Sequence, residues 1–400
     1  MSDILILGGG FAGVWSAMAA ARLRHELGGD LTIALVAPGE DLTIRPRLYQ
    51  ANPGTMRVPL DRVLRPVGVR RIAGQAITVD TSGRTVTVVD GTGSTHVVDY
   101  RRLVLATGSA LVRPTMPGAE HLHDVDTLGG AVALDAHLHR LPAGPACAGQ
   151  FTAVVAGAGF TGIEVSIELM DRLQAIAGPL SHKVRVILLE RADTVGPELG
   201  SGPRSAIRTA LNQVGVEARL NTSLSAVTPT GATLRDGTVI AAHTVIWTAG
   251  MAASPLTRQI VGRRDPLGRL LVDPQLRVPE SPDVFASGDT AAADTGDGHL
   301  TLQSCQHAIP LGRIAGHNAA ADLLGHPAVP FSPEPYVTCL DLGSAGAVFT
   351  TGFDREVRMT GAAAKGLKRS INERRIYPPL DDAKAILNAG DPKRTWAEMA

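Results

Sequence analysis

Two short glycine-rich segments, Gly8-Gly9-Gly10-Phe11-Ala12-Gly13 and Gly157-Ala158-Gly159-Phe160-Thr161-Gly162, carry the clearest chemistry in this chain. In a turn with this G-x-G-x-x-G spacing the first glycine permits a tight reversal and the second lets a pyrophosphate approach the backbone. The third lets the following helix pack against the preceding strand. The helix N-terminus then points free N–H groups and a positive dipole end at the phosphates. One copy is weak evidence, because glycine turns often serve packing alone. Two copies with the same flanks point to two bound dinucleotides.

Stepping outward from the turns, residues 4–7 and 152–156 read as apolar strands of the kind covered on both faces. Helices are expected over 12–27 and 162–175, and strands return over 30–36 and 184–189, so each motif begins a βαβ unit. Residues 40–59 are polar and proline-bearing, too irregular for an element, and read as a loop over a ligand. Residues 77–98 alternate with a period of two, which predicts an antiparallel excursion before a buried strand at 103–106 that ends in Thr107-Gly108. The second unit repeats the plan, with a helix over 203–214, alternating sequence over 216–240 and a strand over 244–248 that ends in Ala249-Gly250. Joints near 114–118 and 261–268 mark crossovers between the units. An apolar run then delivers Gly288-Asp289, and a helix is expected over 306–324. Residues 331–400 read as a small third unit, with alternation over 336–353 and a basic segment at 365–375.

Composition excludes several classes of function. With 38 basic and 38 acidic residues the chain offers no net charge for a nucleic-acid partner. No stretch approaches 18 uninterrupted apolar residues and the first residues lack a signal-peptide pattern, so a cytoplasmic location is expected. The three cysteines, Cys147, Cys305 and Cys339, lie far apart without CxxC spacing or matching histidine pairs, so neither a disulfide framework nor a metal site is expected. Glycine, at 44 of 400 residues, exceeds its usual share of about 7%, as close backbone approach to nucleotides demands.

With both fingerprints, the Thr107-Gly108 turn and Gly288-Asp289 in order, residues 1–350 resemble the two-dinucleotide-binding-domain flavoproteins, the pyridine nucleotide oxidoreductase superfamily. Within it the chain is most similar to the type II NADH:quinone oxidoreductases. Arg45-Pro46-Arg47-Leu48-Tyr49-Gln50 resembles their flavin-covering loop, Ile246-Trp247-Thr248-Ala249-Gly250 resembles their IWxAG strand end, and Glu164 follows the second fingerprint as theirs does. The resemblance implies an α/β fold of two Rossmann-like nucleotide-binding domains, one for FAD and one for NAD(P)H, plus a small C-terminal α+β unit. The expected divisions are 1–114 with 266–330 for FAD, 115–265 for NAD(P)H, and 331–400 as a dimer or acceptor interface.

Carried over residue by residue, Gly8, Gly10, Phe11, Ala12 and Gly13 would cradle FAD, with Arg47, Ala76, Thr107, Gly108, Gly288, Gln306, His307 and Ala308 around it and Asp289 on the ribityl hydroxyls. The helix after Gln306 would aim its N-terminal dipole at the flavin pyrimidine edge, where negative charge collects on reduction. Gly157, Gly159, Phe160, Thr161, Gly162, Ala249 and Gly250 would hold NAD(P)H. Glu190 could accept from the adenosine ribose, favouring NADH, although it stands 28 residues beyond Gly162 against the usual ~20; Arg191 could instead pair with a 2′-phosphate. Glu164 is either a catalytic acid near the meeting of nicotinamide and flavin or a helix-start acid favoured by the dipole. Gln306 is the second catalytic candidate.

The chain also departs from the family pattern. Ala37-Pro38-Gly39 replaces the acid expected for the FAD ribose, with Glu40 and Asp41 displaced beyond it. In Gln306-His307-Ala308-Ile309-Pro310-Leu311-Gly312 the second glutamine of the quinone pattern AQxAxQxG has become Pro310, which offers no amide and disfavours an unbroken helix outside the first turn. Lys365, Lys368, Arg369, Arg374 and Arg375 could touch anionic lipid, but without an apolar face a solvated surface or subunit contact is the simpler reading. The cysteine pattern lacks the CxxxxC pair of the disulfide reductases. The sequence therefore points to an FAD-dependent NAD(P)H oxidoreductase without a redox-active disulfide, passing electrons to a quinone or other small acceptor. Its partners would be that acceptor, at most a peripheral membrane contact, and a second copy in a homodimer. A tailoring oxidoreductase acting on a specialised small molecule and a non-enzymatic flavin-binding sensor are the alternatives.

Overall fold

The computed structural model describes residues 2–144 and 146–395. The chain enters through β1 (Ser2–Leu7), turns at the first glycine motif into α1 (Phe11–Glu26), and returns as β2 (Ile33–Ala37) and β3 (Arg70–Ala73). An antiparallel excursion follows, β4 (Gln75–Asp80) and β5 (Thr85–Val89), which rejoins the sheet through the long β6 (Thr95–Leu105). After α2 (Leu128–Arg140) the second motif repeats the opening with β7 (Thr152–Ala156), α3 (Phe160–Ala177), β8 (Arg185–Leu189), α4 (Arg204–Val214), β9 (Glu217–Arg219) and β10 (Thr244–Trp247). The chain then returns to the first sheet with β11 (Ser281–Ala286) and α5 (Cys305–Leu324). It closes with β12 (Val337–Asp341), β13 (Ala347–Thr351), β14 (Glu356–Thr360), α6 (Gly361–Ser370) and α7 (Ala383–Ala389).

The core of the first sheet is parallel, in the order β11-β6-β1-β2-β3, with Ile6 level with Leu35 on one side and Val104 on the other. The second sheet, β9-β8-β7-β10, is parallel throughout. In both, the central strand is the one that delivers a glycine motif, and its side chains are buried on both faces as its apolar sequence requires. The chain leaves and re-enters the first unit as an antiparallel pair, Ser109–Leu111 against Met251–Ala253, so the first crossover lies just before the expected joint at 114–118 and the second well before the one at 261–268. The third unit is a three-stranded antiparallel sheet, β12-β13-β14, backed by α6.

Two local expectations need correction. The segment 40–59 is not a plain loop: Asp41–Thr43 pairs antiparallel with Arg57–Pro59, and short 3-10 turns at Arg45–Arg47 and Pro53–Thr55 fill the space between. Nor does Pro310 interrupt its helix, for α5 continues through it well past the first turn. The lost i→i−4 bond is offset by packing against α1. Gly312 and Gly316 present bare backbone there, and a Cβ on either would run into the Ala12 and Ser16 carbonyl oxygens. With the sheet on one flank and α5 on the other, α1 is buried nearly all round.

Candidate active site

Both glycine turns open onto one cavity of about 1860 Å³, lined from the first motif by Gly8 to Ala12 and from the second by Gly159, Phe160 and Thr161. The two turns share a geometry. Gly8 (φ 114°) and Gly157 (φ 108°) adopt backbone that side chains resist, and Gly13 and Gly162 let each helix lie on its own turn, where a Cβ would meet the Gly8 or Gly157 carbonyl. They differ at the second glycine. At Gly10 no atom lies within 4 Å of where a Cβ would stand, so the backbone faces open space. At Gly159 the same position is taken by the carboxylate of Glu198, which accepts from the Phe160 N–H at 3.1 Å.

Around the first turn, Thr107, Gly108, Ala76, Asp289 and Ala308 all line the cavity. Gly288 (φ 63°) packs against Ala12, with 2.7 Å between a built Cβ and the Ala12 methyl, so the late turn docks onto α1. Asp289 accepts from the Ser109 hydroxyl at 2.6 Å, and Arg45 reaches from the ribbon to within 3.7 Å of it while also pairing with Asp126. Burial pushes the Asp289 carboxyl up, against the pull of Ser109 and Arg45. Arg47 turns away from the cavity, bonding Gln50 at 3.1 Å and Tyr377 at 2.8 Å, whereas Arg45 from the same turn lies on its wall. Where the ribose acid was expected, Ala37, Pro38 and Gly39 line the wall and Asp41, held by Arg57, reaches it two residues later. The N-terminus of α5, capped by Ser304, opens onto the cavity through Cys305, Gln306 and Ala308. His307 does not line it: its backbone N–H goes to Ser304 and its Nδ1 accepts from the Leu302 N–H at 2.8 Å.

Around the second turn, Gly250 lines the cavity and Ala249 packs on Gly157 at 2.9 Å from a built Cβ. Glu190 ends β8 with both carboxylate oxygens engaged, taking the Ala158 N–H and the Ala192 N–H at 2.9 Å each, so it props the turn from beneath. Arg191 is exposed beside it.

Deeper in, Glu164 and Lys368 form a pair at 2.8 Å, 4% and 5% exposed. The Asp341 N–H donates to the same Glu164 oxygen at 2.8 Å, and the rings of Phe160 and Tyr49 stand 5.4 and 5.9 Å from the Lys368 Nζ. Burial pushes the Glu164 carboxyl above the usual carboxylate range in spite of Lys368. Burial alone would lower the Lys368 ammonium, but the Glu164 charge overrides it and holds the group above its ordinary value. The basic segment is therefore not uniformly a solvated or lipid-facing surface: Lys368 is buried in the site and Lys365 pairs with Asp341.

Residues 2–312 match the pyridine nucleotide-disulphide oxidoreductase family. The chain belongs to that family. It is 46% identical over 399 residues to an NADH dehydrogenase-like protein of Mycobacterium tuberculosis, covering 98% of this chain and 99% of the relative. It is 30% identical over 374 residues to the type II NADH:quinone oxidoreductase Ndh of the same species, covering 86% and 77%. Among solved structures, NDH2 of Plasmodium falciparum superposes with a TM-score of 0.79 at 12% identity, covering 100% of this chain and 99% of that one. The protein is a flavoprotein oxidoreductase of this family with FAD and NAD(P)H as its cofactors, as the paired motifs predict, and the sensor reading falls away.

In this family member the far end of the cavity differs from the quinone pattern. Gln306 spends its amide on backbone, Oε1 accepting from the Val337 N–H at 3.2 Å and Nε2 donating to the Pro335 carbonyl at 3.4 Å. It thereby clamps the segment that carries Tyr336 over the tip of α5. Tyr336 stacks on His307 at 4.7 Å and on Phe353 at 5.7 Å, and Phe353 stacks in turn on His299 at 4.0 Å. Pro310 does not line this cavity. Burial pushes the Cys305 and Cys339 thiols up to about 11, so both stay protonated at neutral pH.

The sequence reading missed Arg45, Ser109, Asp126, Glu198 and the site role of Lys368. Arg45 stood in the quoted loop motif and was findable there. The others depend on long-range folding, since Lys368 meets a partner 204 positions away, and no local pattern announces that.

Proposed function

We propose that the first cradle holds FAD, that the second holds NAD(P)H, and that electrons pass through the flavin to a quinone-like small acceptor. The observation that carries this is the single cavity shared by both helix tips and the N-terminus of α5. It is larger than the roughly 300–1,000 Å³ of an ordinary ligand pocket, as two cofactors require. Thr107 Oγ1 and Gln303 Nε2, on residues that line the cavity, have no hydrogen-bond partner among the described residues, and a cofactor's polar edge would supply one. FAD, when bound, supplies two-electron chemistry between a pyridine nucleotide and an acceptor.

The chain's residues then divide the remaining tasks. The open backbone at Gly10 takes the FAD pyrophosphate, Asp289 holds ribityl hydroxyls, and the α5 dipole favours negative charge at the flavin's pyrimidine edge. Gly159, Phe160 and Thr161 receive the NAD(P)H pyrophosphate. Glu190 braces the turn from beneath, and its negative charge at the end of β8 disfavours a 2′-phosphate and so favours NADH. Lys368, paired with Glu164 Oε1, holds a proton at Nζ for delivery to an acceptor oxygen, with the Glu164 carboxylate as its counter-charge. Gln306 acts by positioning Tyr336 rather than by touching the acceptor. Residues 1–114 with 266–330 serve FAD, 115–265 serve NAD(P)H, and the third unit supports an acceptor or homodimer contact. Among the described residues no helix is long and apolar enough to cross a membrane; we place the protein in the cytoplasm with at most peripheral membrane contact.

Steady-state oxidation of NADH against a panel of benzoquinones, naphthoquinones and non-quinone acceptors tests the reading. Turnover with quinones supports it. Gln306 favours a second reading, a flavin-dependent oxidation of a specialised small molecule, because its amide is spent on the Val337 and Pro335 backbone instead of being offered to a quinone. Flavin reduction by NADH without turnover on any quinone would select that reading.

A further inference from the structure

The two cradles are built alike yet stand in different states, and the difference lies in one side chain. Glu198 sits on a single 3-10 turn, Pro197–Leu199, between Gly196 (φ 55°) and Gly200 (φ 69°). Its carboxylate accepts from the first N–H of α3 at 3.1 Å and lies where a Cβ on Gly159 would stand. A pyrophosphate needs that place, since the bare backbone of the second glycine is what lets phosphate oxygens approach the helix tip. The corresponding place at Gly10 holds nothing.

The setting suits an occupant that comes and goes. Glu198 is exposed and its turn is bracketed by two residues whose backbone only glycine adopts easily, while buried Leu199 and the close approach of Gly200 to the Arg355 side chain anchor the far side. We infer that Glu198 sets the affinity for NAD(P)H by competing, through its own negative charge, for the pyrophosphate seat at the tip of α3. The nucleotide must displace it, and the apparent dissociation constant is the intrinsic one divided by the fraction of molecules in which the seat is free. The inference rests on the proposal that the second cradle binds NAD(P)H.

The test uses FAD-loaded full-length protein, wild type and the variants Glu198→Gln and Glu198→Ala, with anaerobic flavin bleaching followed by stopped flow. Two donors are compared: NADH, and reduced nicotinamide riboside, which carries no pyrophosphate. The dissociation constant for NADH should fall roughly three- to tenfold in both variants, a range set by an exposed carboxylate's modest hold on an N–H. The value for the riboside should not move. An NADH constant that is unchanged or higher in both variants would overturn the inference, as would an equal shift for both donors, which would mean a general change in the fold. Failure of the parent proposal looks different, because then NADH bleaches neither wild type nor variant.

Discussion

Replacing Lys368 by methionine tests the site's energetics most sharply. The substitution keeps the volume near Tyr49 and Phe160 but leaves Glu164 at 4% exposure with one backbone N–H from Asp341 as its remaining partner. Removing one member of a buried ion pair costs about 3–5 kcal/mol, because the other charge stays desolvated. At roughly 2 °C per kcal/mol for a unit of this size, the FAD-loaded protein should melt about 6–10 °C lower at pH 8. In the variant the Glu164 carboxyl is driven further above its unfolded value, since burial acts without the opposing ammonium. A group whose folded pKa is raised contributes stability at low pH and loses it as pH rises through the folded value. The deficit should therefore be largest at pH 8 and shrink toward pH 5, where Glu164 takes up a proton. The double variant Lys368→Met/Glu164→Gln should recover most of the loss, because a neutral amide still accepts from Asp341. Differential scanning fluorimetry across that pH range is the assay. A single variant that melts within 2 °C of wild type at pH 8, or a double variant no better than the single, would refute the reasoning.

At the first cradle, Gly10→Ala should fold yet hold FAD at least about tenfold more weakly, whereas Gly13→Ala should fail to accumulate as folded protein; flavin absorbance after purification and equilibrium FAD titration separate the two. Pro310→Ala restores a donor to the Gln306 carbonyl inside α5 and should stabilise the protein by about 1–3 kcal/mol, read as a higher melting temperature. Burial lowers His307 and His317 to about 4, so each contributes stability above pH 6.5 that is lost as pH falls toward 4. The contribution is up to about 3 kcal/mol each, and His317→Asn should flatten the acid limb of the melting curve between those values.

The glycine turns and their strands were legible because each local rule agrees with the fold: apolar runs buried on both faces, a reversal at positive φ, a helix lying on its own turn. By contrast α2 passed unnoticed, although Ala131, Leu134 and Leu138 mark its buried face and Thr127 caps it. Two glycines in its first turn obscure that pattern. Pro310 misled because intrinsic propensity was weighed without α1, whose bare backbone crossing with Gly312 and Gly316 holds α5 together. Lys368 misled for a related reason. Its neighbours in sequence are basic and exposed, while its environment is set by Glu164 on a distant helix.

The central claim is that pyridine nucleotide and flavin meet in one cavity. Anaerobic titration of the FAD-loaded protein with NADH, monitored in the flavin absorbance bands, tests it most directly. The account predicts bleaching that is complete near one equivalent. Bound FAD that neither NADH nor NADPH bleaches, or protein that takes up no FAD when supplied with it, would contradict it.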